Sequence, residues 1–316
     1  VDLNRYRGQW GGKIETGEEM WWSEPDSRLS QSRYARFRFW LDPRSHIIHR
    51  FWKKVRLAGD SISTHSKNGS LEDMRSYKMV DYGCGTGGTT QNFSRFWRVP
   101  ITGVDVFETQ LEIARLLNQR NQGLCSFEKL DPNGQIPCPD HALDAVMSLD
   151  VLGHVPDIPR VLQEWKRALK PNGHVLLFTE SDFSDSDPSL MKRLADQGYD
   201  MVRVVPEHIS LFPKETLEAW IHQAGFEILE RYSANVWHFF FFPKDYALLL
   251  KDSKDKFQGV RRVALIWDRL SKIFPFFPIP FHALRLIATR LLGRDALGTS
   301  YFYLLKSSTE STSPSH

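Results

Sequence analysis

One ten-residue stretch constrains this 316-residue chain more than any other: Met79-Val80-Asp81-Tyr82-Gly83-Cys84-Gly85-Thr86-Gly87-Gly88. Tyr77–Tyr82 reads as a short strand, and Thr89–Phe96 suits a helix. The glycines between them let the backbone turn sharply and approach a ligand with no Cβ in the way. A strand feeding a helix through such a turn is the entry to a parallel sheet. The sequence continues in that pattern. Strands are expected at Pro100–Val106, Ser126–Leu130, Ala145–Leu149 and His174–Thr179. Helices are expected at Thr109–Gln119 and Ile158–Leu169, the second stopped by the turn Lys170-Pro171-Asn172-Gly173. This alternation implies an α/β fold, a Rossmann-like doubly wound sheet covered on both faces. Further on come a helix at Pro213–Ala224 ended by Gly225, a strand at Phe226–Tyr232 and a late strand at Ser300–Leu305.

Read literally, Gly83, Gly85 and Gly88 satisfy the dinucleotide fingerprint G-x-G-x-x-G, which taken alone suits an NAD(P)-dependent oxidoreductase. Asp105 ends the second strand, 22 residues after Gly83, where a carboxylate can accept both hydroxyls of a ribose. Asp81 separates the readings. A carboxylate two residues before the glycines repels a pyrophosphate but suits a ligand with a cationic amino group.

The later stretch Ile136-Pro137-Cys138-Pro139-Asp140-His141-Ala142-Leu143-Asp144 adds a second ordered signal. With Val80–Gly87, Asp105, Val151-Leu152-Gly153-His154-Val155-Pro156-Asp157, Leu169–Gly173 and His208–Phe226, it resembles the class I S-adenosylmethionine-dependent methyltransferases. The likeness is greatest to the ubiquinone/menaquinone-biosynthesis type and covers about residues 75–235 plus the last strand. It departs at Asp131-Pro132-Asn133-Gly134, which carries one extra residue, and at Gly153, which stands where the family has an acid. The resemblance implies a seven-stranded sheet with an antiparallel last strand and S-adenosylmethionine over the strand C-termini. It implies that Asp81 and the backbone of Gly83, Cys84, Gly85 and Gly87 meet the methionine moiety, and that Asp105 holds the ribose. Val106, Asp131, Pro132 and Leu149 complete the expected cofactor set. A non-catalytic interaction protein that keeps the fold is the other alternative.

Methyl transfer from a sulfonium needs an aligned nucleophile and, for a hydroxyl acceptor, removal of a proton. His154 follows the fourth strand, near where the methyl should sit, and is the expected base. Asp150 belongs to the same rim, and His208 can reach the pocket from before a helix. Oxygen is the expected acceptor atom, and no metal is expected. Pro137-Cys138 invites comparison with a Pro-Cys nucleophile, but it precedes the fourth strand instead of following it, so no nucleophilic role is expected.

The flanks are basic and aromatic. Residues 28–56 hold nine Lys/Arg against Asp42 alone, and residues 251–294 hold ten against three acids. Because the whole chain carries only +3, an acidic middle lies between them. The expected division is an N-terminal cap (1–70), a cofactor-binding core (71–236), a helical insertion (237–298), the last core strand (299–307) and a disordered tail (308–316). Segment 59–71 reads as a linker or loop. Cap aromatics such as Trp21 and Trp52 either enclose an acceptor or pack on the core. The insertion, with Phe239–Phe242, reads as a lid, a homodimer interface or a peripheral membrane contact. A small-molecule acceptor, aromatic or lipid-like, is expected, and nucleic acid is not. Cys84, Cys125 and Cys138 are odd in number and show no C-x-x-C spacing, so neither a disulfide scaffold nor a cysteine zinc site is expected. The longest apolar run, Ile273–Leu284, falls short of the roughly 20 residues of a spanning helix. A reducing, cytoplasmic setting is therefore expected.

Overall fold

A computed structural model describes residues 10–13, 18–26, 29, 32–62, 76–200, 208–234, 258–274, 278–294 and 296–308. The chain enters through an antiparallel hairpin, β1 (Trp10–Lys13) and β2 (Glu18–Trp21), followed by helices α1 (Arg33–Leu41) and α2 (Pro43–Ile62). The core then runs β3 (Met79–Tyr82), α3 (Gly88–Trp97), β4 (Ile101–Asp105), α4 (Glu108–Arg120), β5 (Ser126–Lys129), β6 (Leu143–Leu149), α5 (Ile158–Ala168) and β7 (Leu169–Glu180). It closes with α6 (Leu190–Ala195), α7 (Lys214–Gln223), β8 (Phe226–Ser233), α8 (Gln258–Ile273), α9 (Pro278–Leu292) and β9 (Ser300–Ser307).

The seven-stranded sheet has the order β5-β4-β3-β6-β7-β9-β8. Strands β3 to β7 are parallel, and β9 runs antiparallel between β7 and β8. After β3 the chain builds outward through β4 and β5, then returns to place β6 on the other side of β3. That reversal opens a crevice beyond the C-terminal ends of β3 and β6, the place where this class of sheet binds ligands.

Alternation along the strands divides the core. Val80, Val146, Val175 and Leu177 face the layer containing Trp165 of α5 and Ile221 of α7. Met79, Met147, Leu176 and Phe178 face the other layer, which contains Ile47, Ile48, Phe51 and Trp52 of α2. Helix α2 is thus one of the sheet's own covering helices, although it lies in the segment expected to be a cap. Trp52 stacks on Trp97 at 5.0 Å between ring centroids, so this aromatic packs on the core.

Three local expectations change. Helix α2 runs to Ile62, through the first residues of the expected linker, and residues 63–71 lie outside the described residues. The Lys170–Gly173 turn is an interruption within β7: Leu169 pairs with Leu143, and pairing resumes at His174 with Ala145. Asn172 takes φ +63° there, a conformation asparagine tolerates better than most residues. Helix α9, which the apolar pattern of the sequence places at Ala283–Leu292, begins five residues earlier at Pro278, because proline is accommodated in a helix's first turn. Phe239–Phe242 and residues 309–316 lie outside the described residues.

Candidate active site

The crevice is a cavity of about 610 Å³, a size typical of small-molecule and cofactor sites. Its floor is the glycine loop. Gly83 and Cys84 donate their N–H groups to the Val104 carbonyl at 2.8 and 3.1 Å, folding the loop over the end of β4. Gly85 then donates to Asp105 Oδ2 at 2.9 Å. Gly85 has φ +54°, and a Cβ there would lie 2.9 Å from the Trp21 carbonyl oxygen, so only glycine fits. Gly87 is enclosed differently: a Cβ would meet the Phe127 ring at 2.6 Å. The N-terminal segment crosses above. Ser23 N–H donates to Thr86 Oγ1 at 2.7 Å, and Gly88 N–H donates to Ser23 Oγ at 2.9 Å.

Two carboxylates border the loop. Asp105 accepts from Gly85 on one oxygen and from Phe107 N–H, at 3.0 Å, on the other. Asp81 is buried at the end of β3 and accepts from Thr90 Oγ1 at 2.5 Å. Burial pushes its carboxyl up to about 7, opposed by the Thr90 hydrogen bond and assisted by the neighbouring charge of Asp105.

A polar cluster in the cavity wall is assembled from five separate elements. Asp42 caps α2 by accepting from Ser45 N–H at 2.9 Å, and Pro43 opens the helix. This places Arg44 in the first turn, where it forms an ion pair with Asp150 and lies 4.6 Å from the centroid of the Phe178 ring. Asp150 has φ +59° and follows β6. Burial holds its carboxyl well above the usual range, Arg44 counteracts this, and Glu180 adds to it. Glu180 ends β7, and its buried Oε2 accepts no hydrogen bond. His154 closes the 3₁₀ turn Leu152–His154, its ring 4.6 Å from Trp21 and 4.8 Å from His208. His208 is held alongside because Ile209 and Ser210 donate their N–H groups to the Gly153 carbonyl at 2.9 and 3.1 Å.

His154, Glu180 and His208 bring donor atoms within 4.8 Å of one another, a grouping that could hold a metal ion or accept and relay a proton. His208 Nε2 stands 3.9 Å from Glu180 Oε1.

Of the residues expected from sequence, Asp81, Gly83, Cys84, Gly85, Asp105, Val106, Pro132, Leu149, Asp150, His154 and His208 line the cavity. Gly87 and Asp131 do not. Gly87 is packed against Phe127, and Asp131 caps its own turn by accepting from Asn133 and Gln135 N–H at 2.8 and 2.7 Å. The extra residue noted at 131–134 makes that turn. The Cys84 thiol packs with Leu111, Ala114 and Phe127, and burial raises it well above its ordinary range. Arg44 and Glu180 were not expected. Their only sequence signals are an Asp-Pro helix start and an acid closing the apolar strand HVLLFTE.

A family model described as a methyltransferase domain matches residues 32–231. Cycloartenol-C-24-methyltransferase 1 of Oryza sativa subsp. japonica is 25% identical over 234 residues, which span 72% of this chain and 66% of that protein. The ubiquinone/menaquinone biosynthesis C-methyltransferase UbiE of Pseudomonas aeruginosa is 29% identical over 212 residues, 61% of this chain and 77% of that one. Among solved structures, phosphoethanolamine N-methyltransferase 2 of Haemonchus contortus with S-adenosyl-L-methionine is similar at a TM-score of 0.45 and 19% identity, covering 74% of this chain and 49% of that chain.

Proposed function

The chain belongs to the class I S-adenosylmethionine-dependent methyltransferases, and from that premise we propose that it methylates the oxygen of a small-molecule hydroxyl, with His154 removing the proton. The observation that carries this reading is the cluster of His154, Glu180 and His208 in the cavity wall.

The cavity suits the cofactor. Gly83 and Gly85 present no side chain, Asp105 offers oxygens for a ribose diol, and buried Asp81 offers a carboxylate for an ammonium group. When bound, S-adenosylmethionine supplies an activated sulfonium methyl. What this chain then does is hold, orient and deprotonate. Trp21 and Val151 bound the space for an acceptor, and Arg44 fixes Asp150. Imidazole is the side chain best suited to take a hydroxyl proton near neutral pH. Glu180, beside the two rings, favours the imidazolium that results. The dehydrogenase reading of the glycine loop is set aside by the family match.

Asp81 gives the cofactor site a pH dependence. Its raised carboxyl is largely protonated below pH 7 in the ligand-free protein, and a cationic amino group favours the carboxylate. Binding therefore expels a proton below pH 7. Calorimetric affinity for S-adenosylhomocysteine should fall as pH drops below 7, by up to about tenfold per pH unit for one linked proton. Asp81→Asn should bind more weakly at pH 8 and lose that slope. A slope unchanged in Asp81→Asn would exclude Asp81 as its source.

The functional test is transfer from methyl-labelled S-adenosylmethionine to a panel of phenols and enols, read by carbon NMR before and after chelator treatment. An O-methyl resonance with activity unchanged by chelation is the expected result. Both curated relatives described above are named C-methyltransferases, and deprotonation also activates a carbon conjugated to the hydroxyl. A C-methyl product would move the acceptor atom to carbon. Activity lost to chelation and restored by a divalent cation would assign the cluster to a metal.

A further inference from the structure

We propose that helices α8 and α9 form a docking surface for an anionic bilayer. This goes beyond the methyl-transfer reading and does not depend on it. Each helix buries one side and leaves an apolar strip in water. Ala264 and Val260 of α8 pack inward with Phe183, Met191, Leu194 and Leu211, whereas Val263, Ile266 and Ile273 face out at the i, i+3, i+10 spacing of one helical face. Ile266 is 58% exposed and Ile273 67%. In α9, Ala288 and Thr289 are buried while Leu284, Ile287 and Leu291 face out at i, i+3, i+7, with Leu291 75% exposed. Trp267 meets Phe281 edge to face at 4.1 Å, packing the two helices together. Isolated exposed apolar residues are ordinary, but two helices carrying a strip each are not.

Charge selects the occupant. Residues 258–294 hold seven Lys/Arg and one acid, Asp268. Arg262 and Arg269 lie beside the α8 strip, seven residues apart on one edge, and Arg290 stands three residues beyond Ile287. A second copy of the chain meeting this face symmetrically would set two helix pairs of net positive charge, Arg262, Arg269 and Arg290 among them, against each other, which opposes association. An anionic bilayer offers both an apolar layer for the strips and negative headgroups for the arginines. No helix among the described residues is long and apolar enough to cross a membrane, so the contact is peripheral.

The surface adjoins the acceptor end of the cavity. Helix α8 packs on Leu211, and the Leu211 segment carries His208 and is hydrogen-bonded to Gly153. Ile209 on that segment is itself an exposed apolar residue. Docking here would bring the site beside the lipid phase and favour a lipid-like acceptor.

Vesicle flotation of the full chain tests this, with phosphatidylcholine vesicles compared with mixed phosphatidylcholine and phosphatidylglycerol vesicles. The wild type should float with the mixed vesicles, less so at high salt and not with phosphatidylcholine alone. Ile266→Glu with Ile287→Glu, and separately Arg262→Gln with Arg269→Gln, should each weaken binding at least tenfold. Both pairs should keep wild-type affinity for S-adenosylhomocysteine, because none of the four residues lines the cavity. Three results would overturn the proposal: a wild type that stays with the lipid-free fraction, variants that float equally well, or a dimer in sedimentation that the isoleucine substitutions dissociate.

Discussion

Asp105→Ala should lower the affinity for S-adenosylhomocysteine at least tenfold in calorimetry, with the fold intact by circular dichroism. Two losses add. The first is the carboxylate available to the ribose hydroxyls, where each charge-assisted hydrogen bond is worth roughly 1.5–3 kcal/mol. Tenfold in affinity is about 1.4 kcal/mol, so losing one such bond suffices. The second is the order of the site itself. Asp105 accepts from the N–H groups of Gly85 and Phe107, holding the glycine loop and the start of α4 in register before any ligand arrives. Alanine leaves both donors without that partner. Asparagine is not a neutral control, because its amide nitrogen would face one of the two N–H groups. Asp105→Asn should therefore approach the alanine variant in affinity. Affinity within twofold of wild type in both variants would remove Asp105 from the cofactor site.

The cofactor half of the cavity is legible in sequence because its parts are local. The glycine loop follows one strand, Asp105 ends the next, and strand ends in a parallel sheet converge on one edge. The acceptor half is not local. Arg44 comes from α2, Trp21 from the hairpin, Asp150 and His154 from the turn after β6, Glu180 from β7 and His208 from beyond α6. The register of Leu149 opposite Phe178 sets Glu180 two residues past Leu149's partner, and no spacing in the sequence reveals it. The aromatic N-terminus shows the same limit. Trp21 reaches the cavity and Trp52 packs on Trp97, a division set by which side of the sheet each element covers. Asp131 shows the opposite case. The one-residue insertion was visible, and it turns the carboxylate onto its own backbone.

The second large effect belongs to His154. General-base removal of a hydroxyl proton typically contributes about 10²–10⁴-fold. His154→Ala should therefore slow the chemical step about 100-fold or more, near 2.7 kcal/mol of barrier. Cofactor affinity should be nearly unchanged, because the groups read as holding the cofactor are Asp81, Asp105 and the glycine loop, whereas the His154 ring packs against Trp21 and His208. Glu180→Gln should fall between wild type and His154→Ala, since it removes the charge that favours the imidazolium while leaving the imidazole in place. A purely structural histidine would show the reverse signature, with weaker binding and chemistry preserved in the molecules that do bind.

Single-turnover methyl transfer, measured in wild type and His154→Ala beside their S-adenosylhomocysteine affinities, separates these outcomes in one experiment. The expected result is a rate lowered about 100-fold or more, a wild-type rate that rises with pH through the histidine range, a variant rate without that rise, and matched affinities. Equal transfer rates with the same pH profile in both proteins would contradict the assignment of His154 as the base.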